Sequence, residues 1–208
     1  ALAARAALER AVSGEAGACY QNLLKFERTV AMLGADCILT ADVLCGRGKR
    51  KYSWVMHGAG KWIKVSEREY SQTAREAGSS AFLHFLSPSG LTGSVSEEGG
   101  NSRIQAVAGP SDRAFFLAGL LFSKEGSPAG DIRTIENDTC IRISVDRNGL
   151  TREMVLPEAG TRAEVDGFSG RGEIFLLEKD SKTGQYGKIV CTEATLVKIG
   201  GITAFRSD

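Results

Sequence analysis

The chain is poor in histidine, tryptophan and proline, and it has no surplus of either charge. His57 and His84 are its only imidazoles in 208 residues, which excludes any site built from several histidines. Twenty-six basic residues stand against 25 acidic ones, a formal net charge of +1. A charge so balanced gives no prior for nucleic acid or for an anionic membrane surface, and attraction for a polyanion has to be local. No apolar run approaches the about 20 residues that a membrane-crossing helix needs. The N-terminus shows no charged, apolar and cleavage-site succession of a signal peptide, and the absence of an initial methionine reads as a processed product or a piece of something longer. The five cysteines, Cys19, Cys37, Cys45, Cys140 and Cys191, are odd in number and include no Cys-x-x-Cys pair. Neither a zinc ribbon nor a complete disulfide framework is expected, and buried free thiols are. There is no internal repeat, no low-complexity tract and no linker of Pro- or Ser-rich composition.

Glycine, by contrast, is abundant: 25 residues, against a usual share of roughly 7%. A chain of this length buries a large core without staples. From about Tyr20 onward it breaks into short stretches rich in Val, Ile, Phe, Thr and Tyr, separated by Gly, Asn, Asp and Ser. That pattern predicts an all-β, antiparallel, multi-stranded β-sandwich over residues 18–208. Residues 2–12, LAARAALERAV, are alanine-rich, and Ser13-Gly14 follows them. They predict a short N-terminal helix, with residues 1–17 serving as helix and connection.

Several strands are explicit. In DCILTADVLC, residues 36–45, Cys37, Leu39, Ala41, Val43 and Cys45 share one parity and Asp36, Thr40 and Asp42 the other. FFLAGLLF, residues 115–122, is apolar on both parities and predicts a central strand covered on both faces. In IRISVDRNGLTREMVL, Asn148-Gly149 sits where a tight hairpin turn wants positive φ. Residues 172–180 and 188–199 read as two further strands joined through SKTGQYG. Residues 66–80, SEREYSQTAREAGSS, support either a short helix or a long polar loop.

The stretch KYSWVMHGAGKWIK, residues 51–64, gathers both tryptophans and His57 beside a glycine turn. Read as a strand, it turns Arg50, Tyr52, Trp54 and Met56 one way and Lys49, Lys51, Ser53, Val55 and His57 the other. The first set is aromatic and belongs to a core. The second carries two ammonium groups and an imidazole next to the basic cluster GRGKRK, a face suited to carboxylates or sulfates. Trp62, beyond the turn, is free to face either way. His84 lies in an aromatic strand and reads as a core histidine.

The order of these features resembles the C-terminal β-sandwich domain of the heparinase II/III-like polysaccharide lyases. Ala18-Cys19-Tyr20 is followed by Arg28-Thr29-Val30, then by the acidic strand Asp36 to Asp42, then by Arg50-Lys51-Tyr52-Ser53-Trp54-Val55-Met56-His57-Gly58. In that family the last strand typically reads His-x-Tyr-Asp-x-x-x-His before a glycine turn. The aromatic pair, the final histidine and the turn match, while Arg50 and Ser53 replace the first histidine and the aspartate. With those two groups gone, no metal and no other cofactor is expected.

The resemblance implies a secreted or periplasmic enzyme that cleaves uronate-containing acidic polysaccharide by β-elimination, with a helical toroid domain carrying most of the catalytic groups. It implies a catalytic role for His57 as a helper near the uronate carboxylate or the leaving group, a task suited to a side chain that titrates near neutrality. Arg50, Lys51 and Trp62 are the candidate substrate contacts. The eleven helical residues expected at the N-terminus cannot make a toroid, so the 208 residues alone are expected to be inactive. Two other readings stand beside this one: a non-catalytic carbohydrate-binding sandwich in which Tyr52, Trp54 or Trp62 stacks on sugar rings, and a structural module of a larger secreted protein.

Overall fold

The computed structural model describes residues 2–8, 23–73, 78–98, 101–124, 130–137, 139–158 and 160–207. Among them every regular element is a β-strand, and every strand pair with a stated register is antiparallel. The chain divides into two compact units, Ala3–Ala129 and Gly130–Asp208, the latter grouped with Ala1–Leu2.

The first unit holds β1 (Leu2–Leu8), β2 (Leu23–Met32), β3 (Cys37–Ala59), β4 (Trp62–Lys64), β5 (Glu69–Thr73), β6 (Ser79–Ser87), β7 (Thr92–Glu98) and β8 (Asn101–Lys124). Their sheet runs β1-β2-β3-β8-β6-β5-β4, with β7 also paired to β8. The helix expected over residues 2–12 is corrected over its first half: Leu2–Leu8 is strand β1, hydrogen-bonded beside β2. Alanine's helix preference is a weak prior, and an isolated helix that short is marginal in water, so an open sheet edge outweighs it. The rest of that segment lies outside the described residues, as does Cys19. Residues 66–80 contain β5, paired from Glu69–His84 to Thr73–Ser80.

The two long strands pair along their whole length and bend together. The register skips between Cys45 and Arg50 and again between Arg50 and Tyr52. Gly48 lies in the first skip at φ 73°, and across from the second Gly109-Pro110 drops out of the ladder between Ala108 and Ser111. A proline is tolerated there because no N–H is demanded of it. Beyond the bend β8 changes neighbours, taking β7 on its first half and β6 on its second. The folded sheet encloses Tyr52, Trp54, Trp62, Tyr70, Leu83, Phe85, Ile104 and Phe116. Four alanines of β8, Ala106, Ala108, Ala114 and Ala118, leave space for those rings. Within residues 115–122 both parities are buried as the sequence predicts, Phe116 and Ala118 on one face and Leu117 and Leu121 on the other, while Phe122 at the end is exposed.

Two polar contacts set the closure of this unit. Arg28 donates twice to Asp42, Nε to Oδ1 at 2.7 Å and Nη2 to Oδ2 at 2.6 Å, and this neutralises a carboxylate that is only 2% exposed. Glu67 accepts from the Gly93 N–H at 2.9 Å and from Lys64, and these bonds, the backbone one first, hold its carboxyl below the usual range. Gly93 also has no room for a side chain, since a Cβ there would lie 1.6 Å from the buried Tyr70 hydroxyl.

The second unit is built from β9 (Asp131–Glu136), β10 (Cys140–Arg147), β11 (Leu150–Pro157), β12 (Ala163–Val165), β13 (Phe168–Arg171), β14 (Ile174–Asp180), β15 (Tyr186–Thr192), β16 (Leu196–Ile199) and β17 (Ile202–Arg206). They form two sheets, β15-β14-β11-β10-β9 and β12-β13-β16-β17. The predicted hairpin is present, with Asn148 at φ 53° and Gly149 at φ 76° joining Arg147 to Leu150. The single strand expected over 188–199 is instead two strands in different sheets, β15 and β16. Glu193 at φ 49° breaks the extended run between them. Cys140, Val155, Phe175 and Leu177 of one sheet pack on Ala163, Val165, Phe168 and Val197 of the other. Cys37 and Cys140 are buried as expected, whereas Cys191 is exposed.

An ion cluster joins these two layers. Glu153, 1% exposed, lies 3.2 Å from Lys179 Nζ and 3.8 Å from Arg142 Nε. The same two cations reach Asp166, Arg142 Nη1 at 2.5 Å and Lys179 at 3.5 Å. Asp166 sits in the Asp166-Gly167 turn between β12 and β13, both residues at positive φ. The hydrogen bond from Arg142 is the main reason its carboxyl is held below the usual range. That stabilisation is present above the ordinary carboxyl pKa and is lost as pH falls through the depressed one. Tyr186 donates its hydroxyl proton to the Asp166 carbonyl at 3.1 Å. Burial first, then the charges of Glu153 and Asp166, pushes its hydroxyl up to about 12.

Two outcomes follow. Gly93→Ala should lower the stability of the first unit by about 3 kcal/mol in urea unfolding, and Tyr70→Phe in the same chain should restore part of it by removing the clashing oxygen, which has no hydrogen-bond partner. Because the folded state holds Tyr186 neutral, its contribution is intact below the ordinary tyrosine value near 10 and is lost as pH rises through about 12. A tyrosinate absorbance titration should therefore show a last step that Tyr186→Phe abolishes.

Candidate functional site

Past the bend, β3 alternates cleanly. Tyr52 and Trp54 are buried and Met56 half-buried, while Lys51, Ser53, Val55 and His57 are exposed. The inner side is fixed by packing: Trp54 meets Phe85 edge to face at 5.1 Å. With a period of two, burying one parity forces the other into solvent.

The ladder extends this outer face across three strands. His57 pairs with Arg103, and Arg103 with Ser96; Val55 pairs with Gln105, and Gln105 with Ser94; Ser53 pairs with Val107, and Val107 with Thr92. Partners opposite one another lie about 5 Å apart at Cβ, so the rows make a continuous surface. Gln105 Nε2 donates to Ser53 Oγ at 3.2 Å. Lys51, His57 and Arg103 are its cationic or titratable members. Over residues 51–57, 92–96 and 103–107 no residue in register with them on this face is acidic; Glu98, paired with Asn101, takes the next position at the end of β7.

The residues singled out by sequence separate. His57 and Lys51 share the outer face, six residues or about 20 Å apart along the strand. Arg50 does not join them. It sits half-buried at the bend, donates from Nη2 to the Arg47 carbonyl, and lies over Gly46, where a Cβ would come within 2.7 Å of its Nε. It is a clip for the bulge. Trp62 is 5% exposed in the core, with Gly58 so close to its indole that a Cβ would lie 2.7 Å from Nε1. Its N–H backbone donor is held by Ser102 Oγ at 3.1 Å. Trp62 therefore offers no ring face to a sugar. His84 is only partly exposed, with Nδ1 3.5 Å from Glu69 Oε1 and Nε2 buried.

Arg103 and Gln105 are the members that the sequence reading missed. Their signal was the alternation NSRIQAVA at residues 101–108, in which Asn101, Arg103 and Gln105 oppose Ser102, Ile104 and Ala106. Among the described residues no three His, Cys, Asp or Glu side chains converge to hold a metal ion. The face offers donors, a planar guanidinium and one imidazole able to give or take a proton; it is equipped to hold an anionic, hydroxylated ligand.

No protein-family model matches the chain, and no curated protein matches it. The assignment of this face rests on its own chemistry.

Substitutions should separate the two parities. His57→Ala should change stability by no more than about 0.5 kcal/mol, whereas Trp54→Ala should cost about 3 to 5 kcal/mol, both read from urea or thermal unfolding.

Proposed function

We propose that this chain is the β-sandwich part of a secreted or periplasmic polysaccharide lyase that acts on uronate-containing acidic polysaccharide, and that the outer face of β3, β8 and β7 meets the substrate. The observation that carries the reading is the placement of His57: exposed, beside Arg103, on the opposite parity from a packed Tyr52 and Trp54. β-Elimination requires a base for the proton beside the uronate carboxylate, a cation or donor that stabilises this carboxylate as charge develops, and an acid for the departing glycosidic oxygen. The face supplies the second of these through its cations, and His57 is placed to assist the first or third. The remaining groups belong to a helical toroid of the full-length enzyme, without which the 208 residues bind and do not turn over.

A second reading, a non-catalytic carbohydrate-binding module, uses the same face and is favoured by its run of Ser, Thr and Gln side chains. Its version with aromatic stacking on Tyr52, Trp54 or Trp62 has no exposed ring to stand on, as all three are buried.

The discriminating experiment incubates the full-length protein with alginate, heparan sulfate and hyaluronan and follows the absorbance of unsaturated uronate products. Turnover on one of them, lowered at least tenfold by His57→Ala with unfolding unchanged, supports the lyase. Binding without turnover across the panel assigns the module, and absence of both removes the polysaccharide from either reading.

A further inference from the structure

We infer that Arg103 is the residue that receives the uronate carboxylate, with His57 and Ser96 on either side of it. The inference rests on the proposed polysaccharide reading and names the contact on which that reading depends.

Arginines that this fold half-buries are supplied with acceptors. Arg28 has Asp42, Arg68 has the carbonyls of Leu86 and Pro88, Arg142 has Asp166, Arg152 has Glu178, Arg162 has Ser169, and even Arg50 has the Arg47 carbonyl. Arg103 is the exception: its Nε is buried without an acceptor, as are those of Arg50, Arg68, Arg142 and Arg162, but unlike them its side chain makes no other hydrogen bond or ion pair with a described residue. A guanidinium partly removed from water and left unpaired is costly, and natural folds keep such groups where something else completes them. The positions directly opposite Arg103 carry His57 and Ser96 and the row on one side carries Val55 and Ser94, none of them acids, while Glu98 stands opposite Asn101 in the row on the other side; the face leaves the guanidinium open to an anion brought from outside.

The shape of the donor selects among anions. A guanidinium presents parallel N–H groups in a plane, which match the two oxygens of a carboxylate and lose their advantage if the cation is a lysine. His57 on one side and the Ser96 hydroxyl on the other add donors to the same group. Gln105 and Ser94, one row along, face the neighbouring sugar hydroxyls. The polymer thus runs along the strands with a carboxylate anchored at the His57–Arg103–Ser96 row.

The test measures binding of the 208-residue chain to alginate, to carboxyl-reduced alginate and to dextran sulfate by affinity electrophoresis at two salt concentrations. Arg103→Gln should weaken alginate binding about thirtyfold, the scale of a lost charge-assisted pair. Arg103→Lys should lose most of that, and Arg113→Gln, an exposed arginine elsewhere on β8 with the same charge change, should lose less than about threefold. Thermal unfolding of Arg103→Gln should be unchanged or raised, since an unsatisfied donor is removed; a lowered midpoint that accounts for the weaker binding would overturn the assignment. Equal losses for Arg103→Gln and Arg113→Gln would overturn it as well, leaving only diffuse charge attraction. Retention on dextran sulfate and on carboxyl-reduced alginate as strong as on alginate would overturn the carboxylate. If the unaltered chain binds none of the three polymers, the polysaccharide reading itself falls.

Discussion

The paired bend of β3 and β8 is the constraint from which the first unit follows. Two strands of 23 and 24 residues would form a flat ribbon with no interior if they stayed straight. Skipped register at Cys45–Arg50–Tyr52, positive φ at Gly48 and an N–H-free Pro110 place the bend at one level on both strands. Each strand then has two halves with different neighbours, and the enclosed side is filled by rings from β3, β4, β5 and β6 set over the alanines of β8. The outer parity of residues 51–57 is a by-product of that closure. His57 is exposed because Tyr52 and Trp54 are not.

Much of this was legible in the sequence because period-two alternation is a local signal. The parities of 37–45 and 49–57, the doubly buried run 115–122 and the Asn148-Gly149 hairpin all follow from side-chain chemistry within a few residues. What failed was set by partners distant in sequence. Leu2–Leu8 is extended because β2 offers an edge, which no property of Ala-rich residues announces. The break between β15 and β16 turns on one backbone angle at Glu193. The resemblance made Arg50 a substrate contact and the carbohydrate-binding reading did the same for Trp62, yet one is recruited to clip the bulge at Arg47 and the other is drawn into the core over Gly58. The division near residue 130 was missed although the sequence Glu125-Gly126-Ser127-Pro128-Ala129-Gly130 has turn-forming composition.

Charge is handled with opposite results in different places, and the contrast is informative. Asp42 and Glu153 are almost fully buried, and each is met by cations at close range, a bidentate arginine in one case and an arginine with a lysine in the other. Removing a partner from such a cluster leaves a desolvated charge, so these groups are committed to the fold and unfit to bind anything else. A ligand site needs the reverse condition, a charge held in place by packing and left without a counterion.

Arg103 meets that condition, and its position explains why. It occupies the outer parity of β8 at a point where both neighbours are paired strands, so its stem is fixed by the ladder on either side. An acid at position 57 or 96 would have neutralised it across the strands, as opposite charges do in cross-strand pairs. The sequence has histidine and serine there. A side chain positioned by the sheet and denied an acid by both of its directly opposite neighbours keeps its electrostatic demand for a ligand. Lysine at position 51, further along and exposed, adds attraction at long range but no geometry. Specificity on this face therefore resides at the His57–Arg103–Ser96 row, and the remainder of the face contributes contact area and hydroxyl partners.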